Sequence, residues 1–185
     1  MDYIQHCASP LGGILLAGAG DRLVGLWFDG QSYFGEGLDP EHEAGELPVL
    51  DEGRRWLEMY FAGEKPDFTP PVAPRGTDFQ RAVWAILSDI PYGRTATYGE
   101  LARALADMGR PNASPRAVGG AVARNPISLI VPCHRVIGAN GDLTGYAGGL
   151  DRKRRLLALE EAAIKAFDSG KFTAIQSCAS QRDAL

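Results

Sequence analysis

At 185 residues, 45% of them hydrophobic, the chain has the length and apolar content for one ordinary domain or two small ones around a packed core. No charged-then-apolar leader opens it and no apolar run approaches the ~20 residues a membrane helix needs, which argues against a membrane partner and for a cytoplasmic location. Cys7, Cys133 and Cys178 form neither a disulfide framework nor a metal-ligand spacing, so a reduced compartment is expected.

The net charge of −4 hides an asymmetry: residues 1–74 carry 4 Lys+Arg against 13 Asp+Glu, and residues 75–160 carry 12 against 7. Of those 12 basic residues 11 are arginine, the side chain best suited to phosphate and base recognition, so the second segment is the one expected to meet a polyanion.

In chain order, residues 3–8, 13–17 and 23–28 read as strands broken by glycine, the latter two forming a hairpin. An acidic, glycine-bearing loop over residues 29–46 follows. Pro48 then opens a helix that turns Leu50, Trp56, Leu57, Tyr60 and Phe61 inward and stops by Gly63. The proline-rich stretch 65–74 can neither continue a helix nor pair as a central strand, and marks a boundary between units spanning residues 1–72 and 75–163. In the second unit Thr77 caps a helix with Phe79, Val83, Ile86 and Leu87 inward. Thr97-Tyr-Gly-Glu100 fits a capping box opening a helix through Leu105, and Ser114-Pro115 opens another over residues 116–124. The last two resemble a helix-turn-helix, although the connection over residues 107–113 is long for one.

Gly119 and Gly120 each cost roughly 1 kcal/mol relative to alanine in a helix interior, so some backbone, of a neighbouring helix or of a nucleic acid, should approach there. After Asn125-Pro126 the chain is expected to run extended over residues 127–131 to Cys133. A turn (138–142), a glycine-rich loop (145–149), a final helix over residues 151–163 with Leu156, Leu157 and Leu159, and an irregular tail (164–185) complete the reading.

The chemistry concentrates in Pro132-Cys133-His134-Arg135. A thiol becomes a good nucleophile when a base takes its proton, and imidazole is suited to that near neutral pH. The plain alternative is that Cys133 continues the apolar run as a small buried side chain. Taken singly, Tyr98 reads as a half-buried helix aromatic, Asn125 as a turn residue, and Glu160 as a solvated helix-end charge.

Together these motifs, with Arg116-Ala-Val-Gly-Gly, Arg124-Asn125-Pro126 and Gly145-Tyr146-Ala-Gly-Gly-Leu150, closely resemble the O6-alkylguanine-DNA alkyltransferases over about residues 75–160. The resemblance implies a small antiparallel sheet with a helix, ribonuclease H-like, followed by a mostly α, winged helix-turn-helix-like domain. It implies irreversible, single-turnover transfer of an alkyl group from O6-alkylguanine in double-stranded DNA to Cys133, and leaves O4-alkylthymine open. No metal, organic cofactor or obligatory protein partner is implied.

By the same resemblance, a water links Cys133 to His134, Glu160 orients the imidazole, Tyr98 protonates the departing guanine and Asn125 braces the turn. Arg116 takes the place of the flipped nucleotide, Ala117, Gly119, Gly120 and Val122 lie against the DNA, and Pro132, Tyr146 and Gly148 line the base pocket. Two departures stand out: Ala147 where some members carry serine, and Val122 where a bulkier residue is common. Three rivals remain: a cysteine hydrolase built on Cys133, His134 and Asn125, a non-catalytic lesion sensor, and a transcription regulator. The first predicts repeated turnover, the second should lack Cys133, and the third would read the major groove.

Overall fold

The computed structural model describes residues 1–168. Strands β1 (Asp2–Cys7), β2 (Ile14–Ala19) and β3 (Arg22–Phe28) form an antiparallel meander. A fourth strand, β4 (His42–Ala44), pairs parallel to β1 at the sheet edge, giving the order β3-β2-β1-β4. The sheet is therefore mixed, a correction to the all-antiparallel expectation. β4 lay hidden in the acidic loop because its three residues are all exposed and show no apolar alternation.

Period-two alternation gives β2 two buried faces. Ile14 and Leu16 join the main core with Leu23, Leu26 and Phe28, while Leu15 and Ala17 pack with Val24 and Trp27 on the other side. Helix α1 (Pro48–Phe61) covers the main face with Val49, Leu50, Trp56, Leu57 and Tyr60. A side chain at Gly18 would meet Val49, Leu47 and Leu50 at 3.1–3.3 Å, so the absence of one lets the helix sit close.

The second unit contains α2 (Asp78–Ser88), β5 (Ala96–Thr97), α3 (Tyr98–Asp107), α4 (Pro115–Ala123), a 3-10 turn (Cys133–Arg135), β6 (Val136–Ile137) and α5 (Leu150–Asp168). The expected caps form: Thr77 and Thr97 make full capping boxes with Gln80 and Glu100, and Ser114 accepts from Ala117 N. Trp84 was not among the residues expected inward. It is buried at the centre of α2, and its indole Nε1 donates to Ala121 O of α4 at 2.8 Å. Helix α5 runs five residues past the expected end, so the first residues assigned to the tail belong to it. Cys178 lies outside the described residues. Among those described, no helix is long and apolar enough to cross a membrane.

Both units share one continuous core, and the outer edge of β3 joins them. At Leu23 that edge pairs with the proline-rich stretch, Leu23 N donating to Pro71 O and Ala73 N to Leu23 O, both at 2.8 Å. Prolines are tolerated there because the edge asks for only isolated bonds. At Leu26 the same edge takes the segment leading to Cys133, with Leu26 N donating to Pro126 O and Ser128 N to Leu26 O. Beyond that bridge residues 127–131 are not extended. Leu129 has φ 69°, and Ile130 N and Val131 N donate back to Ser128 O and Ile127 O, so the apolar run is a buried tight turn.

Replacing Trp84 by Phe removes the bond that fixes α4 against α2. It should lower unfolding stability by about 1–2 kcal/mol in denaturant titration.

Candidate active site

Cys133 opens the 3-10 turn and is 3% exposed. Asn125, at the end of α4, holds it there: Nδ2 donates to Cys133 Sγ at 3.1 Å, to Val131 O at 2.7 Å and to Ile127 O at 3.3 Å. Its Oδ1 accepts from Ile127 N at 3.1 Å. One amide thus bonds both the backbone of the turn and the sulfur. Burial pushes the thiol's pKa up, against the Asn125 hydrogen bond and the positive charge of Lys153, so the sulfur rests protonated and needs a base.

The imidazole that follows Cys133 in sequence is placed by α5. His134 Nε2 lies 2.7 Å from Glu160 Oε1, and both side chains are fully buried. Burial alone would raise the Glu160 pKa, but the hydrogen bonds and charges of His134 and Arg135 hold it down at about 2. An ionised carboxylate only accepts, so the Nε2 hydrogen points at Glu160 and Nδ1 carries the lone pair. Nδ1 is buried with no partner among the described residues, and no hydrogen bond joins it to the sulfur. Burial also lowers the His134 pKa, with Arg135 and Lys153 adding to it and Glu160 opposing, so the ring is neutral at neutral pH.

Tyr98 and Tyr146 pack against the same core as Cys133, and burial raises both phenol pKa values. Tyr98 Oη donates to Thr144 O at 3.3 Å, across the mouth of the glycine-rich loop. Pro132 is buried directly before the cysteine. Gly148 is buried beneath the Tyr146 ring, where a Cβ would meet Cε1 at 2.6 Å, so glycine is needed there for the loop to close. The loop is fastened to the first unit. Ser32 N donates to Ala147 O at 3.0 Å, and Arg152 donates to Gly148 O, Leu11 O and Asp29 O.

Arg116, Ala117 and Gly120 form an exposed face of α4, with Gly119 half-buried beside Tyr98. A Cβ at Gly120 would meet nothing within 4 Å, and one at Gly119 only the Tyr98 ring at 3.7 Å. Among the described residues no helix packs tightly enough on this face to require either glycine. Val122 needs correction: it is 5% exposed and belongs to the core, so its side chain offers no surface to DNA. Asn125 bonds the sulfur and the turn while Glu160 orients the histidine, which departs from the hydrolase arrangement in which an amide orients the imidazole.

Three functional side chains escaped the sequence reading. Arg135 donates to both Glu160 oxygens through Nε and to Ile90 O through Nη1. Tyr60 Oη donates to Glu160 Oε1 at 2.8 Å. Lys153 is fully buried, and its Nζ donates to Val136 O, Thr144 O and Gly145 O, tying β6, which follows the cysteine's turn, to the glycine-rich loop. Its spacing to Leu156 and Glu160, three and then four residues along one helix face, is the signal that places it inside.

The Glu160 pKa is depressed in the folded state, so its contribution to stability is complete above the unfolded value of about 4.3 and is lost as pH falls toward about 2. The depressed His134 works in the same direction from higher pH, because the unfolded chain takes up that proton first. Unfolding free energy should therefore decline by about 3 kcal/mol between pH 5 and pH 2 on account of Glu160. Glu160→Gln should be less stable at neutral pH and show a shallower slope in that window, read by denaturant titration across pH.

Comparison with known families gives two matches. The family model of the 6-O-methylguanine DNA methyltransferase ribonuclease-like domain covers residues 3–74, and that of the same family's DNA binding domain covers residues 78–162. A methylated-DNA–protein-cysteine methyltransferase of Methanosarcina acetivorans is 53% identical over 158 residues, covering 85% of this chain and 97% of that protein. One of Haemophilus influenzae is 44% identical over 161 residues, covering 86% of each. Among solved structures, Mycobacterium tuberculosis OGT in complex with DNA superposes with a TM-score of 0.75 at 44% identity, over 87% of this chain and 94% of that one. With both units matched in order, and with a buried cysteine beside a carboxylate-oriented histidine, the chain belongs to the 6-O-methylguanine DNA methyltransferase family.

Proposed function

We propose that this protein repairs DNA by direct reversal, moving the alkyl group of an O6-alkylguanine irreversibly onto Cys133. The observation that carries the reading is the division of the imidazole: Nε2 is locked on Glu160 while Nδ1 is a buried acceptor with no partner among the described residues. A water between Nδ1 and the thiol passes the proton of Cys133 to His134, and the imidazolium is stabilised by the ionised Glu160. The thiolate attacks the alkyl carbon, forming an S–C bond as the C–O6 bond breaks. The electron pair leaves with guanine, which takes a proton from Tyr98, whose hydroxyl is otherwise engaged only by a 3.3 Å bond to Thr144 O. Asn125 keeps the sulfur in line throughout, and Pro132, Tyr146 and Gly148 flank the base.

The target atom lies inside the duplex, so the nucleotide must be extruded, at a few kcal/mol of unstacking. Arg116 at the exposed start of α4 fills the gap, since a planar guanidinium both stacks and donates hydrogen bonds. Ala117, Gly119 and Gly120 let a phosphate backbone approach the helix, and double-stranded DNA carrying O6-alkylguanine is the partner. The product thioether faces no group able to hydrolyse it, so each molecule acts once. Residues 1–72 and 75–163 act here as a scaffold and an alkyl-transfer unit.

Incubated with excess duplex containing one O6-methylguanine, the protein should gain one methyl on the Cys133 peptide and then stop, as read by intact mass and peptide mapping. Cys133→Ser should gain none while still binding DNA. Continued turnover, or methylation elsewhere, would overturn the reading. Arg116→Ala should slow transfer from duplex by about tenfold and from a single strand much less, because only the duplex charges the cost of unstacking.

A further inference from the structure

Glu160 is satisfied from both units. His134, Arg135 and the backbone N–H of Gly93 reach it from the second unit, while the Tyr60 hydroxyl comes from α1, a hundred residues earlier in the chain. Aromatic packing fixes that hydroxyl. The fully buried Tyr60 ring stacks on Trp56 at 5.1 Å and meets Phe61, Tyr92 and His134 edge-on at 5.4, 5.9 and 6.4 Å. Phenylalanine would satisfy every one of those ring contacts. The hydroxyl adds only a desolvation cost, unless its bond to Glu160 Oε1 and its place 3.3 Å from His134 Nε2 are used.

We propose that Tyr60 is a positioning residue for alkyl transfer, its hydroxyl setting the orientation and acceptor strength of Glu160 toward His134. This rests on the relay proposed above, and gives the ribonuclease-like unit a part in the chemistry. Burial and the nearby Glu160 charge raise the phenol's pKa, so it stays a donor throughout the working range. Around the imidazole, Glu160 and Lys153 come from α5, Cys133 and Arg135 from the 3-10 turn, Tyr92 from the segment after α2 and Tyr60 from α1. Arg135 and Lys153 disfavour the imidazolium and Glu160 favours it. Removing the Tyr60 donor leaves more of the carboxylate's charge facing Nε2. His134 then protonates at higher pH, and less neutral base remains to take the thiol proton.

The test compares wild type, Tyr60→Phe and Tyr92→Phe as full-length proteins. Tyr92 is the matched control, a ring of the same cluster whose buried hydroxyl has no partner among the described residues. In single-turnover methyl transfer, Tyr60→Phe should move the acid limb of the rate profile up by about half a pH unit or more, in keeping with loss of a charge-assisted hydrogen bond. The His134 titration followed by NMR without DNA should move the same way, and Tyr92→Phe should move neither. If Tyr60→Phe unfolds early, 3-fluorotyrosine at position 60 gives the converse probe: a stronger donor in the same ring, shifting both readouts downward. Profiles and titrations that superimpose on wild type for these Tyr60 replacements would overturn the proposal. If wild type leaves Cys133 unmethylated, the transfer reading falls instead, while the NMR titration still decides the role of Tyr60.

Discussion

A carboxylate with no exposure to water must be satisfied wholly by protein, and Glu160 is where that requirement organises this molecule. An uncompensated charge there would be costly, so the groups around it are held in fixed places: the Arg135 guanidinium, the His134 ring, the Gly93 amide and the Tyr60 hydroxyl. Each of those bonds also positions something else. Arg135 continues to Ile90 O at the end of α2, and Gly93 lies in the turn that leads to β5 and Tyr98. The carboxylate that orients His134 therefore also aligns the helix carrying Tyr98.

The nucleophile is governed by a second, independent constraint. Asn125 joins the end of α4 to the turn around Cys133, so the helix with the exposed Arg116 face and the sulfur share one side chain. A displacement of α4 on binding would be felt directly at the thiol. The first unit supports this from outside: Leu26 on the edge of β3 pairs with the turn on both sides of Ile127, Ser32 holds the glycine-rich loop, and the Asp29 carbonyl receives Arg152 of α5. The acidic unit is thus a buttress for the site as well as a source of the Tyr60 hydroxyl.

What the sequence made legible was local. The caps at Thr77, Thr97 and Ser114 and the hairpin of β2 and β3 each depend on residues a few positions apart, and each stands as the spacing indicates. The segment 127–131 misled because a buried turn and a buried strand share an apolar composition; the positive φ of Leu129 leaves no mark in the residue type. Val122 misled because a helix of small residues gives little amphipathic contrast to tell its faces apart. Tyr60, Arg135 and Lys153 went unseen as functional groups because their partners lie 100, 25 and 8 to 17 residues away. For Tyr60 and Lys153 the one sequence trace is a polar atom where the helical pattern asks for an apolar side chain. Gly119 and Gly120 show the reverse: the sequence asks for a close approach, and among the described residues nothing comes nearer to either than the Tyr98 ring.

The most direct measurement is the single-turnover rate of methyl transfer by Glu160→Gln, taken on folded protein whose DNA affinity has been checked against wild type. An amide can still accept from Nε2–H but cannot stabilise the imidazolium, so the rate should fall by about a hundredfold with DNA affinity unchanged. Transfer at the wild-type rate would mean that the buried carboxylate holds the structure alone, and that the sulfur is activated by some other route.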